Sequence, residues 1–214
     1  METFILDTTA LTEARLKKLF KAKNMEEVVR RVARLLMEAR LTLNSRFYMT
    51  PSTSSELRRI LLGQDVSLDA VKELMAWITV KAPDKLSMKI PARVFSEYVS
   101  DIRRRLYKGL RVAEAAVKKA ARECVGNEEC LGETVKDLRE RYREATRKGL
   151  VDSVEDLDTI LLALELKAII VTSDLGIKKL SEQLGIIVLD PEDFVYMLER
   201  MIRGVRRVEG AEKQ

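Results

Sequence analysis

Residues 152–174 read DSVEDLDTILLALELKAIIVTSD. Acids at Asp152, Asp156 and Asp158 precede a block of aliphatics, and the stretch ends on a further acid, Asp174. A helix is expected from near Ser153 to Ala168, and a buried strand over Ile169–Thr172. Asp174 therefore falls just past the carboxyl end of a strand. TFILD, residues 3–7, repeats the pattern, with a short apolar strand ending on Asp7. In open parallel α/β sheets, ligands sit beyond the carboxyl ends of the strands. Two acids far apart in the chain are thus expected at one crevice.

The rest of the chain alternates in the same way. Asn24 caps a helical repeat with Val28, Val32, Leu35, Leu36 and Ala39 at helical spacing. RFYMT reads as a second strand, and PSTSSELRRILL as a helix opened by Pro51 and Ser/Thr caps. SLDAVKELMAWITV reads as a helix from Ser67, followed by a loop over Lys81–Pro91. After Asp174 come a helix (Gly176–Leu184), a strand (Ile186–Leu189) and a helix (Pro191–Arg203). Strands alternating with helices predict an α/β fold with a parallel sheet flanked by helices.

From Ala92 the pattern changes. VFSEYVSDIRRRLYKGLRVAEAAVKKAARE reads as one long helix, with apolar residues at Val94, Tyr98, Ile102, Leu106, Leu110 and Val117. CVGNEEC reads as a turn around Gly126-Asn127, and LGETVKDLRERYREATRKG as a second helix. The pair makes an antiparallel hairpin of about 35–40 Å at ~1.5 Å per residue. It is too long to lie within a core and is expected to project. The organisation expected is an α/β domain from 1–91 and 150–204, an inserted hairpin at 92–149, and a disordered tail at 205–214.

Composition narrows the chemistry. The chain has 214 residues, no histidine and two cysteines, Cys124 and Cys130. The usual general base and the commonest zinc ligand are absent. Any metal must be held by carboxylate oxygens, which suits Mg²⁺ or Mn²⁺. No apolar run approaches the ~18 residues of a membrane span. The opening METFILDTTAL has no secretion-signal pattern, so a cytoplasmic location is expected. Lys and Arg total 39 against 34 Asp and Glu, a net charge of +5. Residues 92–150 carry 15 bases and 10 acids, while residues 152–193 carry 10 acids and 3 bases. One part is built to attract a polyanion, the other to hold cations.

Asp152 and Asp156 are four residues apart and share a helical face if both are helical; Asp158 does not share it. Glu56, in the first turns of the helix after the second strand, can reach the same edge. Carboxylates this close repel, and a divalent cation removes the conflict. The chemistry that fits is metal-assisted phosphodiester hydrolysis, with two ions about 3.5–4 Å apart in its fullest form. Simpler roles stay open for some of them. Asp156 also suits a first-turn position behind a Ser153 cap, and Glu56 also suits a pair with Arg59. Thr8, Thr9 and Ser173 flank the acids as turn residues.

FILDTTAL, SSEL, and D-S-V-E-D-L-D followed by VTSD resemble PIN-type metal-dependent nucleases. With the basic hairpin placed before the acidic helix, nearly the whole chain resembles the small RNA-free ribonuclease P proteins known as HARP. The resemblance implies a PIN-like sheet and Mg²⁺-dependent removal of the 5′ leader from precursor tRNA. It implies metal-binding and catalytic roles for Asp7, Asp152, Asp156, Asp158 and Asp174, with Glu56 matching a further acid of the wider nuclease fold. It also implies homo-oligomer assembly through the hairpins.

On the hairpin, Arg103, Arg104, Arg105, Lys108 and Arg111 crowd the first helix, with Lys118, Lys119 and Arg122 nearer its tip. Arg139, Arg141, Arg143, Arg147 and Lys148 line the second. Singly these are solvated side chains; as a set they suit RNA phosphates, read by shape. Any apolar surplus is expected to bury against another subunit. Cys124 and Cys130 flank the turn, and their Cα separation decides whether they pair. Two other readings remain: a PIN-type toxin ribonuclease, which typically lacks so long an insert, and a non-catalytic RNA-binding assembly protein.

Overall fold

A computed structural model describes residues 2–147, 149, 151 and 153–211. The chain divides into two compact units, Met1–Met88 with Ser153–Gln214, and Lys89–Asp152.

The first unit is built on five parallel strands: β1 (Thr3–Leu6), β2 (Arg46–Met49), β3 (Ile78–Val80), β4 (Ile169–Val171) and β5 (Val188–Leu189). Their order across the sheet is β3-β2-β1-β4-β5. The chain winds outward from β1 in one direction through β2 and β3, and from β4 in the other through β5. The reversal falls between β1 and β4, which pair with Ile5 opposite Ile170 and Leu6 opposite Val171.

The side-chain period of two divides β1 between the sheet's faces. Phe4 and Leu6 join a core with Phe47, Val28, Val32, Leu36 and Phe194. Phe4 stacks on Phe47 with ring centroids 5.6 Å apart and meets Phe194 edge-on at 5.2 Å. Each such buried side chain contributes about 1.5–3 kcal/mol. The helices supplying this core include α3 (Met25–Leu43), α5 (Leu68–Met75) and α10 (Pro191–Ala211), with the short α1 (Thr9–Thr12) and α2 (Ala14–Leu19) alongside. Ile5 and Ile170 are fully buried outside that cluster. There α8 (Val154–Leu166) packs on β1 and β4, and against α4 (Pro51–Gly63) and α9 (Leu175–Gln183).

Polar caps start the helices where the sequence signals them. The Asn24 side chain accepts the Glu27 N–H, Thr50 that of Thr53, Ser67 that of Ala70, and Ser153 that of Asp156.

Two readings need correction. The helix expected through Val80 ends at Met75, and Ile78–Val80 forms edge strand β3, with Ile78 opposite Phe47. Three β-branched residues beside β2 gain a ladder that continuing the helix cannot offer. The tail expected to be disordered from 205 instead continues α10 to Ala211. No proline interrupts it, and Arg206 pairs with Glu38 of α3 at 3.0 Å. Residues 212–214 lie outside the described residues. Among the described residues no helix is long and apolar enough to cross a membrane.

The second unit is an antiparallel hairpin of α6 (Ala92–Glu123) and α7 (Glu128–Arg147). The turn is tighter than CVGNEEC suggested, because α7 begins inside it at Glu128. Gly126 adopts φ +74°, a conformation favouring glycine. Cys124 and Cys130 are joined by a disulfide with their Cα atoms 5.3 Å apart. The side of α6 that is buried or half-buried carries mostly small groups in its later turns: Gly109, Ala113, Ala116 and Ala120. A Cβ on Gly109 would lie 2.8 Å from both the Tyr142 ring and the Thr146 methyl. The apolar residues of α6 are divided between burial and exposure. Val94 is buried and Tyr98 and Ile102 are half-buried, whereas Leu106, Leu110 and Val117 are exposed.

Candidate active site

β1 and β4 are neighbours, so their carboxyl ends place Asp7 and the Thr172–Asp174 segment side by side at the reversal of strand order. In such sheets this is where a crevice opens. Asp7 is 7% exposed, and its Oδ2 accepts the Thr9 hydroxyl at 2.7 Å and the Thr172 hydroxyl at 2.8 Å. Thr172 Oγ1 also accepts the Asp174 backbone N–H at 3.0 Å. Thr9 Oγ1 in turn accepts the Ser173 N–H at 2.9 Å. Two strand ends, 165 residues apart at Asp7 and Thr172, are thus laced by hydroxyls.

Asp174 caps α9, its Oδ1 accepting the N–H groups of Gly176 at 2.7 Å and Ile177 at 2.9 Å. This leaves its Oδ2 without a hydrogen-bond partner among the described residues. Next to Asp7, the Thr8 hydroxyl donates to Glu56 Oε2 at 2.8 Å. Glu56 therefore does not pair with Arg59, as one reading had it. Ser52, Ser55, Glu56 and Arg59 of α4 and Ser153, Glu155 and Asp156 at the start of α8 line one open groove of ≈ 550 Å³. A buried line of hydroxyls, Thr50–Thr53 at 2.8 Å and Thr53–Thr159 at 3.5 Å, ties α4 to α8.

The structure sorts the expected acids. Asp7 and Asp174 meet at the strand ends, and Glu56 joins them through Thr8. Asp156 shares a groove with Glu56. Asp158 turns elsewhere: its Oδ1 lies 2.6 Å from Lys85 Nζ, close enough for an ion pair though not aligned for a hydrogen bond. Asp152 lies outside the described residues. Among the described residues no three acids gather as one metal site. The donor chemistry nevertheless fits a hard cation. Asp7 is a buried carboxylate, and among the described residues none of Asp7, Asp174 and Glu56 has an ion pair. A buried carboxylate supported by two hydroxyls and the Thr9 N–H, with no cationic side chain beside it among the described residues, favours a cation.

Sequence reasoning missed Thr172 and Glu13. The Ser173 hydroxyl, and then Arg15, hold the Glu13 carboxyl below its usual value, which places another acid beside the Asp174 segment. Thr172 stands two residues before Asp174, and its strand-end position was its only signal.

The basic residues of the hairpin differ in their surroundings. Arg105 is half-buried and tied to Asp101 at 3.1 Å and to the Gly149 carbonyl at 3.2 Å. Arg104 also pairs with Asp101. Arg103, Lys108, Arg111, Lys118, Lys119, Arg122, Arg139, Arg143 and Arg147 are exposed. Arg111, Lys119 and Arg141 line a groove between α6 and α7, whereas Lys136, Arg139 and Arg143 line another on α7. Lys148 is not among the described residues.

Comparison with known proteins gives a consistent result. A family described as "PINc domain ribonuclease" matches residues 3–203. An RNA-free ribonuclease P of Hyperthermus butylicus is 42% identical over 213 residues, covering 95% of this chain and 90% of the relative. One of Ignicoccus hospitalis is 44% identical, covering 97% and 99%, and one of Aeropyrum pernix is 45% identical, covering 94% and 93%.

Proposed function

Because the chain belongs to the PINc-domain ribonucleases and, within them, to the RNA-free ribonuclease P family, we propose that it is a protein-only ribonuclease P removing the 5′ leader from precursor tRNA. The observation that carries this reading to the residues is the junction of Asp7 and Asp174 through Thr172 at the β1/β4 crevice.

Asp7, Asp152, Asp156 and Asp174 hold Mg²⁺ in this reading, with Glu56 and Asp158 at its margin. When bound, the cation supplies positive charge and Lewis acidity for phosphodiester hydrolysis. The chain's own groups set its stage. Thr9 and Thr172 fix the Asp7 carboxylate through Oδ2, which leaves Oδ1 without a hydrogen-bond partner among the described residues. The α9 cap fixes Asp174 in the same way and presents its Oδ2. Such preorganisation removes reorganisation from the chemical step. With no histidine in the chain, proton transfer falls to these carboxylates and water.

The hairpin binds RNA and a second copy of the chain. Phe95, Val99, Leu106, Leu110 and Val117 lie exposed along α6, the last four spaced seven, four and seven residues apart. That spacing suits helix-to-helix packing with a partner. Because Gly109 and the alanines serve the α6–α7 contact, these larger residues are left for it.

The test is incubation of the pure protein with precursor tRNA and Mg²⁺. Cleavage at the mature 5′ end supports the proposal. Anticodon-loop or indiscriminate cutting supports a toxin, and binding without cutting supports an assembly protein.

A further inference from the structure

The groove between α4 and α8 presents a difficulty for RNA. Glu56, Glu155 and Asp156 all line it, and a polyanion must enter beside them. The cation among its described lining residues is Arg59. Arg59 is exposed, and it makes no ion pair among the described residues, although Glu56 lies one helical turn before it on the same face of α4. Glu56 is held instead by the Thr8 hydroxyl at 2.8 Å. The arginine is thus placed among acids and left uncommitted. A guanidinium is the side chain best shaped for a phosphate, through two parallel N–H donors.

Ser52 adds a second donor. It stands seven residues before Arg59, two helical turns away on the same face. Its Oγ lies 3.0 Å from Thr50 Oγ1, which lies 2.8 Å from Thr53 Oγ1. When Thr53 donates to Thr50 and Thr50 in turn donates to Ser52, the Ser52 hydroxyl keeps its own proton for a ligand in the groove that it lines. Ser55 offers no such donor, because its hydroxyl donates to the Pro51 carbonyl at 2.9 Å.

We infer that Arg59, assisted by Ser52, binds a phosphate of the RNA strand next to the one that is cut, and so holds the strand against the acids. This rests on the ribonuclease reading of the same site. The contact offsets local repulsion and fixes the register of the strand across the groove. A charge-assisted hydrogen bond contributes about 1.5–3 kcal/mol, or roughly 10–100-fold in affinity.

The test is binding and single-turnover cleavage of precursor tRNA by Arg59→Gln, Arg59→Lys and Arg58→Gln, each over a range of salt. Arg58 is exposed on the same helix and does not line the groove. Arg59→Gln is expected to raise Kd or KM about 10–100-fold and to lower the slope of log K against log salt by roughly 0.7, the loss of one single-strand phosphate contact. Its thermal midpoint stays at the wild-type value. Arg59→Lys recovers the slope and part of the affinity, and Arg58→Gln matches wild type. An unchanged slope and affinity in Arg59→Gln overturns the inference, as does an equal effect from Arg58→Gln. A loss of cleavage with an unchanged slope also overturns it, because that marks a structural role. If the wild-type protein itself cuts no precursor tRNA, the ribonuclease P reading fails and this inference falls with it.

Discussion

The Thr172 hydroxyl donates to Asp7 Oδ2 at 2.8 Å and at the same time accepts the Asp174 N–H at 3.0 Å. One buried oxygen therefore sets both the direction of the first acid and the turn that carries the second. Thr172 is fully buried, so neither contact is replaced by solvent if it is lost.

Thr172→Val keeps the shape and removes the hydroxyl. It is expected to reduce single-turnover cleavage about 10–100-fold and to cost about 1–3 kcal/mol of stability, the penalty for buried groups left unpaired. Thr172→Ser retains most of the activity. Cleavage rates and thermal melts of the two variants check this.

The nearness of Asp7 to the Asp174 segment was legible because its signal is chemical. An acid directly after a short apolar run stands out, and Asp7 and Asp174 both do so. Parallel pairing then brought them together. Thr172 was less legible because a threonine ending a strand is ordinary, and its role depends on which strand lies beside it. β3 was missed because Ile78–Val80 follows a helical repeat without a break, and only its pairing with β2 makes it a strand. The pairing of Arg105 with Asp101 and the Gly149 carbonyl was not legible, because sequence shows a charge but not its partner. Asp158 is a similar case, since nothing local announces Lys85 as its partner.

The loop after β3 is pinned to α8 by Glu165, which accepts from Lys81 Nζ and from the Asp84 N–H at 2.8 Å. Lys81, then the Asp84 N–H, lowers the Glu165 carboxyl below the usual 4.5. A lowered folded-state value means that ionised Glu165 stabilises the fold. That contribution is complete above about pH 4.5, the unfolded value, and is lost as pH falls through the depressed folded value. Glu165→Gln should therefore lower the thermal midpoint at pH 7, with the difference from wild type vanishing in strong acid. Paired melts across pH measure it.

The Cys124–Cys130 bridge closes a short loop, with a sequence separation of 6. By loop-closure entropy it stabilises the hairpin tip by about 2 kcal/mol. Cys124→Ser/Cys130→Ser, or reductant, is expected to increase amide exchange near the turn while leaving the α/β unit unchanged. Hydrogen exchange by mass spectrometry reads both at once.

Leu106 and Leu110 are 58% and 53% exposed on α6, away from the small residues that pack on α7. If a second copy covers them, Leu106→Glu/Leu110→Glu shifts the protein to a smaller species. Each buried leucine contributes about 1.5–3 kcal/mol to such a contact. Light scattering after gel filtration checks the mass, and circular dichroism confirms that the helices persist.

Single-turnover cleavage of precursor tRNA with Asp7→Asn and Asp174→Asn, separately and combined, reads whether the two acids act together in the chemical step. Asparagine keeps the Thr172 contact and the α9 cap while removing charge. Each single variant is expected to lose at least ~10³-fold in rate while binding RNA within a few fold of wild type, and the double variant to be no worse than the singles, as for residues acting as one unit. Cleavage by either single variant at near the wild-type rate would contradict that joint role.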